Sequence, residues 1–558
     1  MSHSKSPVPA FAILIVLGAV FILHALYLAV TIDDAYITFR FARNLANGHG
    51  FVWNLDEPPI EGFTSMLWLL TSAALINADL DVAFWTRVIG ISSALGTMFL
   101  TYSIARRHMH ASVWLAALPV LMLAFSGPLA TWASSGMETT TFGFFFILAI
   151  YGFITTLRTP SHAWSIASGL AFFLATMLRP EGVIGFAVLA GLWVVFFRKR
   201  LSRMTVLWGL SYAVPLALYI VWRLNAFEDP LPNTFYQKTG GGFWQYVRGA
   251  SYVIFFGLFF IIPIIPLPAV LLWEKGVPGP RQWLHPKSVL RWFDQNEAIA
   301  IGGTLFAVYY AYIWYVGGDY LPMYRFMVPA LPLLYLLLVP VTGALLDRID
   351  GVAHKRQLVI ALVILAVAGT VIHSTPVEKS FFRRPTWQMG NYRGVADERW
   401  VVNRFATIGR FFAEYSRQPG ESLATRTIGA IGYQADQLSI HDLHGLTDRH
   451  IAHVPIKSDP SGWAGHEKWD LDYSFGRLPT YVMIDAQLVE EDLSQTWQET
   501  SLADAVEKNF SPFRIRRYIE WLRDNADLVH ERYEVKSVFM EDELTGEAGY
   551  FVFLELRR

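Results

Sequence analysis

Residues 10–30 read AFAILIVLGAVFILHALYLAV, a stretch without Asp, Glu, Lys or Arg, and about 20 apolar residues are enough for a helix to cross a bilayer. Ten further apolar runs follow, at about 83–105, 111–131, 138–157, 162–178, 183–197, 204–222, 249–273, 298–317, 326–346 and 357–374. Hydrocarbon offers no partner to a backbone N–H or C=O, so segments like these are confined to helices that satisfy their own peptide groups. The expected fold is a polytopic α-helical membrane protein with about 11 transmembrane helices. Only 16% of residues are charged, against roughly 25% in soluble domains.

A net charge of −1 and the absence of polybasic stretches give no field that would draw nucleic acid. With no cysteine, the chain has no disulfide, thiolate metal site or cysteine nucleophile. The segment MSHSKSPVPA precedes the first run and no small-residue cleavage site follows it, so that helix is expected to be retained.

The run 62–78 (GFTSMLWLLTSAALINA) is apolar but short, and counting it as a span would invert every later loop. Without it, RRHMH (106–110), RKRLSR (198–203), the basic loop 274–297 and DRIDGVAHKR (347–356) all share the side of the N-terminus. The positive-inside rule then makes that side cytoplasmic. The run 62–78 is accordingly an interfacial or re-entrant helix within a first external loop, 31–82. The other external segments are 132–137, 179–182, 223–248, 318–325 and everything beyond 375. Residues 1–374 form the membrane domain; 375–558, with segments such as RTIGAIGYQAD, YVMIDAQ and GYFVFLELRR, read as a soluble α/β domain.

Each external loop carries a polar signature. In the first, Asp33 and Asp34 are adjacent at the membrane surface, where a carboxylate can deprotonate a hydroxyl beside a lipid-carried substrate. Arg40 and Arg43 follow on one helical face, either supporting the acid pair or snorkelling to head groups. His49 reads as a turn residue and Glu61 as a first-turn acid before the run 62–78. The second loop ends in Glu138, where a cap is the default role. LRPEG places Arg179 and Glu181 between two membrane runs, as a phosphate fork or as a structural pair. PNTFYQK brings Asn233, Tyr236 and Lys238 before three glycines, the pattern of a closing clamp or of a solvated loop. GGDYLPMYRF holds Asp319 and Arg325, which either staple the loop or serve a site. Acids, cations and aromatics on one membrane face fit an anionic, lipid-linked, hydroxyl-rich substrate.

The ordered set DDAYITFRFARNLANGHGFVWN…IEGFTSMLW, SGMETTTFG, LRPEG, PNTFYQK, GGDYLPMYRFMVPALP, DLHGLTDRHIA and GHEK resembles the GT-C class of membrane glycosyltransferases. Within it, the likeness is to the group related to the mycobacterial terminal arabinofuranosyltransferase AftB, the ZomB-like group, and it runs from residue 33 to about 470. The resemblance implies a GT-C fold and a polyprenyl-phosphate-linked sugar donor. It also implies inversion at the anomeric carbon and a site facing the periplasm or its equivalent, in the bacterial inner membrane. An acid of the first external loop is the general base of that class, a role that carries to Asp33 or Asp34, with Asp33 favoured. The tail here is shorter than that of AftB, which leaves the acceptor open.

In this reading an acceptor hydroxyl of a cell-envelope glycan or glycolipid attacks the sugar, arabinofuranose or another pentose, while phosphate departs. Arg179, Lys238, Arg325 and Tyr236 face the donor and its phosphate; Arg40, Glu61, Glu138, Glu181, Asn233, Asp319 and His444 bind substrate or support the site. No cofactor is required, and a divalent cation has a place only as a bridge between the acid pair and the phosphate. The competing readings are a transporter or flippase for a lipid-linked substrate, and a non-catalytic envelope or flagellar assembly protein. A flippase would carry charges near the bilayer midplane and repeat symmetry; here the charges gather at one face.

Overall fold

The structure, a computed structural model, describes residues 8–200, 202–261, 286–348, scattered positions in 351–364, and 395–557 apart from 457–464, 497–500, 511 and 543. Among the described residues, five helices are long and apolar enough to cross a membrane: Val82–His108, Thr139–Arg158, Arg203–Phe227, Glu297–Val316 and Arg325–Asp347. Four shorter apolar helices stand beside them: Phe11–Tyr27, Met66–Asn77, His162–Leu178 and Gly182–Val195. Most of the expected run 357–374, and the second half of 249–273, lie outside the described residues.

The run expected at 111–131 is not one helix. Val113–Ala124 and Gly127–Ala133 meet at 63°. Ser126 starts the second piece by accepting a hydrogen bond from Leu129 N, and Pro128 stands in its first turn, where a missing N–H costs nothing. The bend delivers Trp132 to the end of the bundle that carries Arg325, over which its ring lies. The stretch 62–78 contains the helix Met66–Asn77, whose 12 residues extend about 18 Å against a hydrocarbon core of about 30 Å. Trp68 ties it inward, donating from Nε1 to Gly136 O at 2.9 Å.

The helix Thr139–Arg158 sets the two ends of the bundle. At its start Glu138 belongs to the external loop cluster; at its end Arg158 and Arg200 both pair with the buried Glu297. The basic segments 106–110 and 198–203 therefore meet at one end, where Arg158 Nη1 also donates to Arg107 O at 3.3 Å.

The tail opens with α1 (Val395–Tyr415) and is built on a five-stranded mixed sheet. Its strands are β1 (Ser422–Thr425), β2 (Ser439–Asp442), β3 (Tyr481–Met483), β4 (Tyr533–Glu541) and β5 (Ala548–Leu556), in the order β2-β1-β3-β5-β4. β1 is parallel to β2 and to β3, whereas β5 is antiparallel to β3 and β4. One apolar cluster, with Val482, Phe510, Tyr518 and Leu554, belongs to the tail alone. A second is shared: Phe41, Trp53, Phe63 and Met66 of the first external loop pack with Phe412, Leu423, Ile431, Tyr481 and Phe551. The tail thus uses one side of its fold to sit on that loop.

Polar contacts lock this seat. Asn54 pairs with the backbone of Ile440 in β2 at both ends, accepting from its N–H at 2.8 Å and donating to its C=O at 3.0 Å, while Trp53 Nε1 donates to the same carbonyl at 3.0 Å. The free edge of β2 is thereby covered, as sheet edges require. Arg40 supplies the rest. It donates to Trp53 O and Leu438 O at 3.1 and 2.8 Å, to Asn54 Oδ1 at 3.2 Å, and to Gly432 O.

Candidate active site

A cavity of about 130 Å³ lies where the external loops meet the tail, lined from the membrane side by Asp33, Asp34, Gln237, Lys238 and Tyr320, and from the tail by Arg426, Asp442, His444 and His466 among others. Asp33 and Asp34 begin the helix Asp33–Ala46, where the macrodipole favours negative charge. A hydrogen bond from Ile32 N to Ser135 O at 3.0 Å fixes that helix start against the second external loop.

The two carboxylates have different surroundings. Asp33 Oδ1 accepts a hydrogen bond from Ala430 N of the tail at 2.7 Å. Asp34 Oδ1 accepts from Tyr320 OH at 3.0 Å, and its Oδ2 is 3.6 Å from Arg325 Nη1. Asp34 is therefore the acid tied to the cations, and Asp33 the acid that meets the tail.

Gly429 makes the approach to Asp33 possible. A Cβ there would lie 2.6 Å from both Cγ and Oδ1 of Asp33 and closer still to its carbonyl oxygen. Gly429→Ala is expected to push the tail off Asp33, lowering any activity of this site at least tenfold while the membrane bundle keeps its thermal stability. Unchanged turnover in that variant would show that the Gly429 contact is dispensable.

The segment 317–325 carries Arg325 and Tyr320 on a strained frame. Gly317 and Gly318 have φ of 92° and 70°, and the non-glycine residues Met323 and Tyr324 have φ of 59° and 46°. Such backbone costs about 1–3 kcal/mol per non-glycine residue and persists where surrounding contacts hold it. Here Trp132 Nε1 donates to Met323 O at 3.1 Å and Tyr252 OH accepts from Phe326 N at 3.3 Å. The product is an Arg325 guanidinium seated against Asp319 at 2.5 Å and over the rings of Trp132 and Phe326. Lys238 faces the same cavity with a solvent-accessible side chain. The surrounding protein mass first, and Arg325 second, hold its ammonium below the usual lysine range. Lys238 and Arg426 thus line one small space with four acids, Asp33, Asp34, Glu398 and Asp442, and Arg325 adjoins it through Asp34.

Other residues singled out in the sequence sit elsewhere. Arg179 is buried with its fork divided between two carboxylates, Nη1 to Glu138 at 3.0 Å and Nη2 to Glu181 at 2.9 Å. Arg179 also lies over the ring of Phe326 at 4.8 Å, as Arg325 does at 4.9 Å. Glu61 is not a simple first-turn acid: it pairs with Arg223 at 2.5 Å, and burial raises its pKa against that pairing. Tyr236 is a tail contact, its ring tilted against His453 at 4.3 Å between centroids while its carbonyl accepts from Lys468 Nζ at 2.8 Å. Asn233 donates to Gly445 O and Leu446 O at 2.9 and 2.8 Å. Arg40 does not snorkel, being 3% exposed; burial pulls its pKa to about 10, so it stays cationic at neutral pH. Arg43 lies over Tyr433 at 3.6 Å and pairs with Asp436.

Sequence reasoning passed over Gln237, Tyr320, Arg426, Asp442 and His466 as individual site residues, although each lies in or beside a quoted motif. Among the described residues, no group of three or more His, Asp or Glu side chains is placed to hold a metal ion.

A membrane helix bundle whose first long loop presents paired acids to a C-terminal region built on a small sheet has the GT-C architecture. The structure resembles the crystal structure of ArnT from Cupriavidus metallidurans bound to undecaprenyl phosphate, with a TM-score of 0.51 and 16% identity over 78% of this chain and 86% of that one. In sequence, the chain is 26% identical over 412 residues to the terminal beta-(1->2)-arabinofuranosyltransferase of Corynebacterium glutamicum, covering 66% of this chain and 55% of that relative. The chain thus spans about half the length of the curated relative it matches. Residues 391–546 match a family model described as a domain of unknown function (DUF8728). The chain is a multi-pass membrane protein of the GT-C fold, similar to the arabinofuranosyltransferases.

Proposed function

We propose that this protein is an inverting glycosyltransferase that moves a sugar, arabinofuranose or another pentose, from polyprenyl phosphate to a hydroxyl of a cell-envelope glycan at the external face of the inner membrane. The observation that carries the reading is the shared cavity: Asp33 and Asp34 beside Lys238, with Arg325 bound to Asp34. The likeness to an arabinofuranosyltransferase and to a structure that holds undecaprenyl phosphate supports it.

The chemistry follows from the surroundings of each group. Asp33 takes the proton of the acceptor hydroxyl. The oxygen attacks the anomeric carbon as the bond to phosphate breaks on the opposite side. Lys238 and Arg325 neutralise the departing phosphate, a form of stabilisation that costs little reorganisation when the cations are already held. Asp34 and Tyr320 hold Arg325 and the loop in place. Phosphate leaves without an acid catalyst, and the step balances without a metal.

The test uses the full chain in nanodiscs with a radiolabelled polyprenyl-phosphate pentose and a glycan acceptor. The expected product is the acceptor extended by one sugar with inverted configuration. Lys238→Ala is expected to weaken binding of polyprenyl phosphate about tenfold, the scale of one charged hydrogen bond, and a sugar without phosphate should not register the change. Wild-type protein that neither binds the lipid phosphate nor transfers sugar would overturn the assignment.

A further inference from the structure

The tail segment GHEK, residues 465–468, grips the chain on both sides of Lys238. Before it, Gln237 Nε2 donates to Gly465 O, and Tyr236 O accepts from Lys468 Nζ at 2.8 Å. After it, Arg248 Nη1 donates to Glu467 Oε1 at 2.6 Å. Gln237, Arg248, Glu467 and Lys468 are all buried. Between the two grips the chain passes through Gly240 and Gly242, whose φ values of 103° and 55° suit glycine and bring no side chain to fix the loop. Lys238 makes no hydrogen bond or ion pair of its own among the described residues, and faces the cavity. Its stem runs over Gly465, where an added Cβ would touch Lys238 Cγ at 3.5 Å and Cε at 3.6 Å.

Lys468 does this with a charge that burial makes costly. A buried ammonium is ordinarily matched by a carboxylate. Here Nζ donates instead to two carbonyls, Tyr236 O at 2.8 Å and Ala452 O at 2.6 Å. They stand in the last turns of two short helices, Asn233–Lys238 of the loop and Arg449–His453 of the tail, where the helix itself has no N–H left to offer. One ammonium therefore ties the two helix ends together. The rings of Tyr236 and His453 meet beside it at 4.3 Å between centroids.

We propose that Lys468 and Glu467 are positioning residues for Lys238. Through the backbone of Tyr236 and the side chain of Arg248 they hold the loop so that the Lys238 ammonium reaches the cavity, which puts the strength of phosphate binding under the control of the tail. This rests on the transferase reading above, in which Lys238 meets the departing phosphate. Neither Glu467 nor Lys468 is among the residues that line the cavity, so their effect on a bound phosphate is carried through Lys238.

The experiment measures the Kd of undecaprenyl phosphate for the full chain in nanodiscs, in wild type, Lys468→Met, Lys238→Ala and the double variant. Lys468→Met keeps an unbranched side chain and removes its donors. It should weaken binding about three- to tenfold, with the tenfold expected of Lys238→Ala as the ceiling. Lys468→Arg, which can still donate to both carbonyls, should stay within about twofold of wild type. In the Lys238→Ala background Lys468→Met should cost nothing further, because residues that act through one another are not additive. Equal losses in the two backgrounds would show a general structural role and overturn the proposal. Undiminished affinity in Lys468→Met, with Lys238→Ala weakened, would overturn it too. Glu467→Gln keeps an acceptor for Arg248 and should lose about threefold, again only while Lys238 is present; it carries the comparison where the Lys468 variants do not fold. Wild-type affinity in Lys238→Ala would overturn the phosphate assignment itself, and this inference with it.

Discussion

Asp33→Asn is expected to lower kcat for sugar transfer by about 10²–10⁴-fold, the range for losing a positioned general base, with little change in donor affinity or thermal midpoint. The introduced amide oxygen can still accept the hydrogen bond that Ala430 N donates to Asp33, so the tail should stay seated. What is lost is the capacity to take a proton. Asp34→Asn should behave differently. Its carboxylate charge faces Arg325 and its Oδ1 accepts from Tyr320; an amide keeps the second contact and loses the first. The expected signature is weaker lipid-phosphate binding, with a smaller loss in kcat than Asp33→Asn shows. Steady-state kinetics with a direct binding assay for polyprenyl phosphate separates the two. Full turnover in Asp33→Asn with a large kcat loss in Asp34→Asn would exchange their roles.

Arg40→Ala carries the largest expected cost to stability. It strips the donor from the carbonyls of Gly432 and Leu438 inside the seat of the tail, while Trp53 O keeps Asn44 Nδ2 at 3.2 Å. Each buried group left unpaired costs about 1–3 kcal/mol, and removing a buried charge returns part of that, for a net loss of about 2–4 kcal/mol. The tail should loosen from the first external loop before the membrane bundle melts. Hydrogen exchange should therefore rise in β2 and in residues 51–54, and limited proteolysis should release the tail earlier. Arg40→Lys should fall between, since an ammonium cannot reproduce the planar fork. Equal exchange protection in wild type and Arg40→Ala would refute the role given to this residue.

The candidate site was partly legible in the sequence. Asp33, Asp34, Lys238 and His444 do line one cavity, and Arg325 with Asp319 adjoins it through Asp34. Each was noticed because an acid, cation or imidazole stood in a short polar break between apolar runs or in a family motif, a signal that is local in the chain. Arg179, Glu61, Tyr236 and Arg40 stood in equally polar breaks and look no different by that measure. Their partners decide what they do. Glu138 lies 41 residues from Arg179, and two of the carbonyls that hold Arg40, those of Gly432 and Leu438, lie almost 400 residues away. The bent helix at 124–127 was likewise hidden, because hydropathy averages over the Ser126–Gly127–Pro128 break that starts a new helix.

By itself, the sequence determined what depends on neighbours along the chain. Long apolar runs must become membrane helices because hydrocarbon cannot satisfy a peptide group, and charged and polar residues must gather in the breaks between them. Only the tertiary structure decided which buried charges neutralise one another and which are left facing a cavity. Desolvating a charge is too costly to leave uncompensated, and the compensating group is whichever side chain or carbonyl the fold brings within about 3 Å. A peptide N–H of the tail is one such group for Asp33, a phenol and a guanidinium from a strained loop serve Asp34, and two carboxylates meet Arg179.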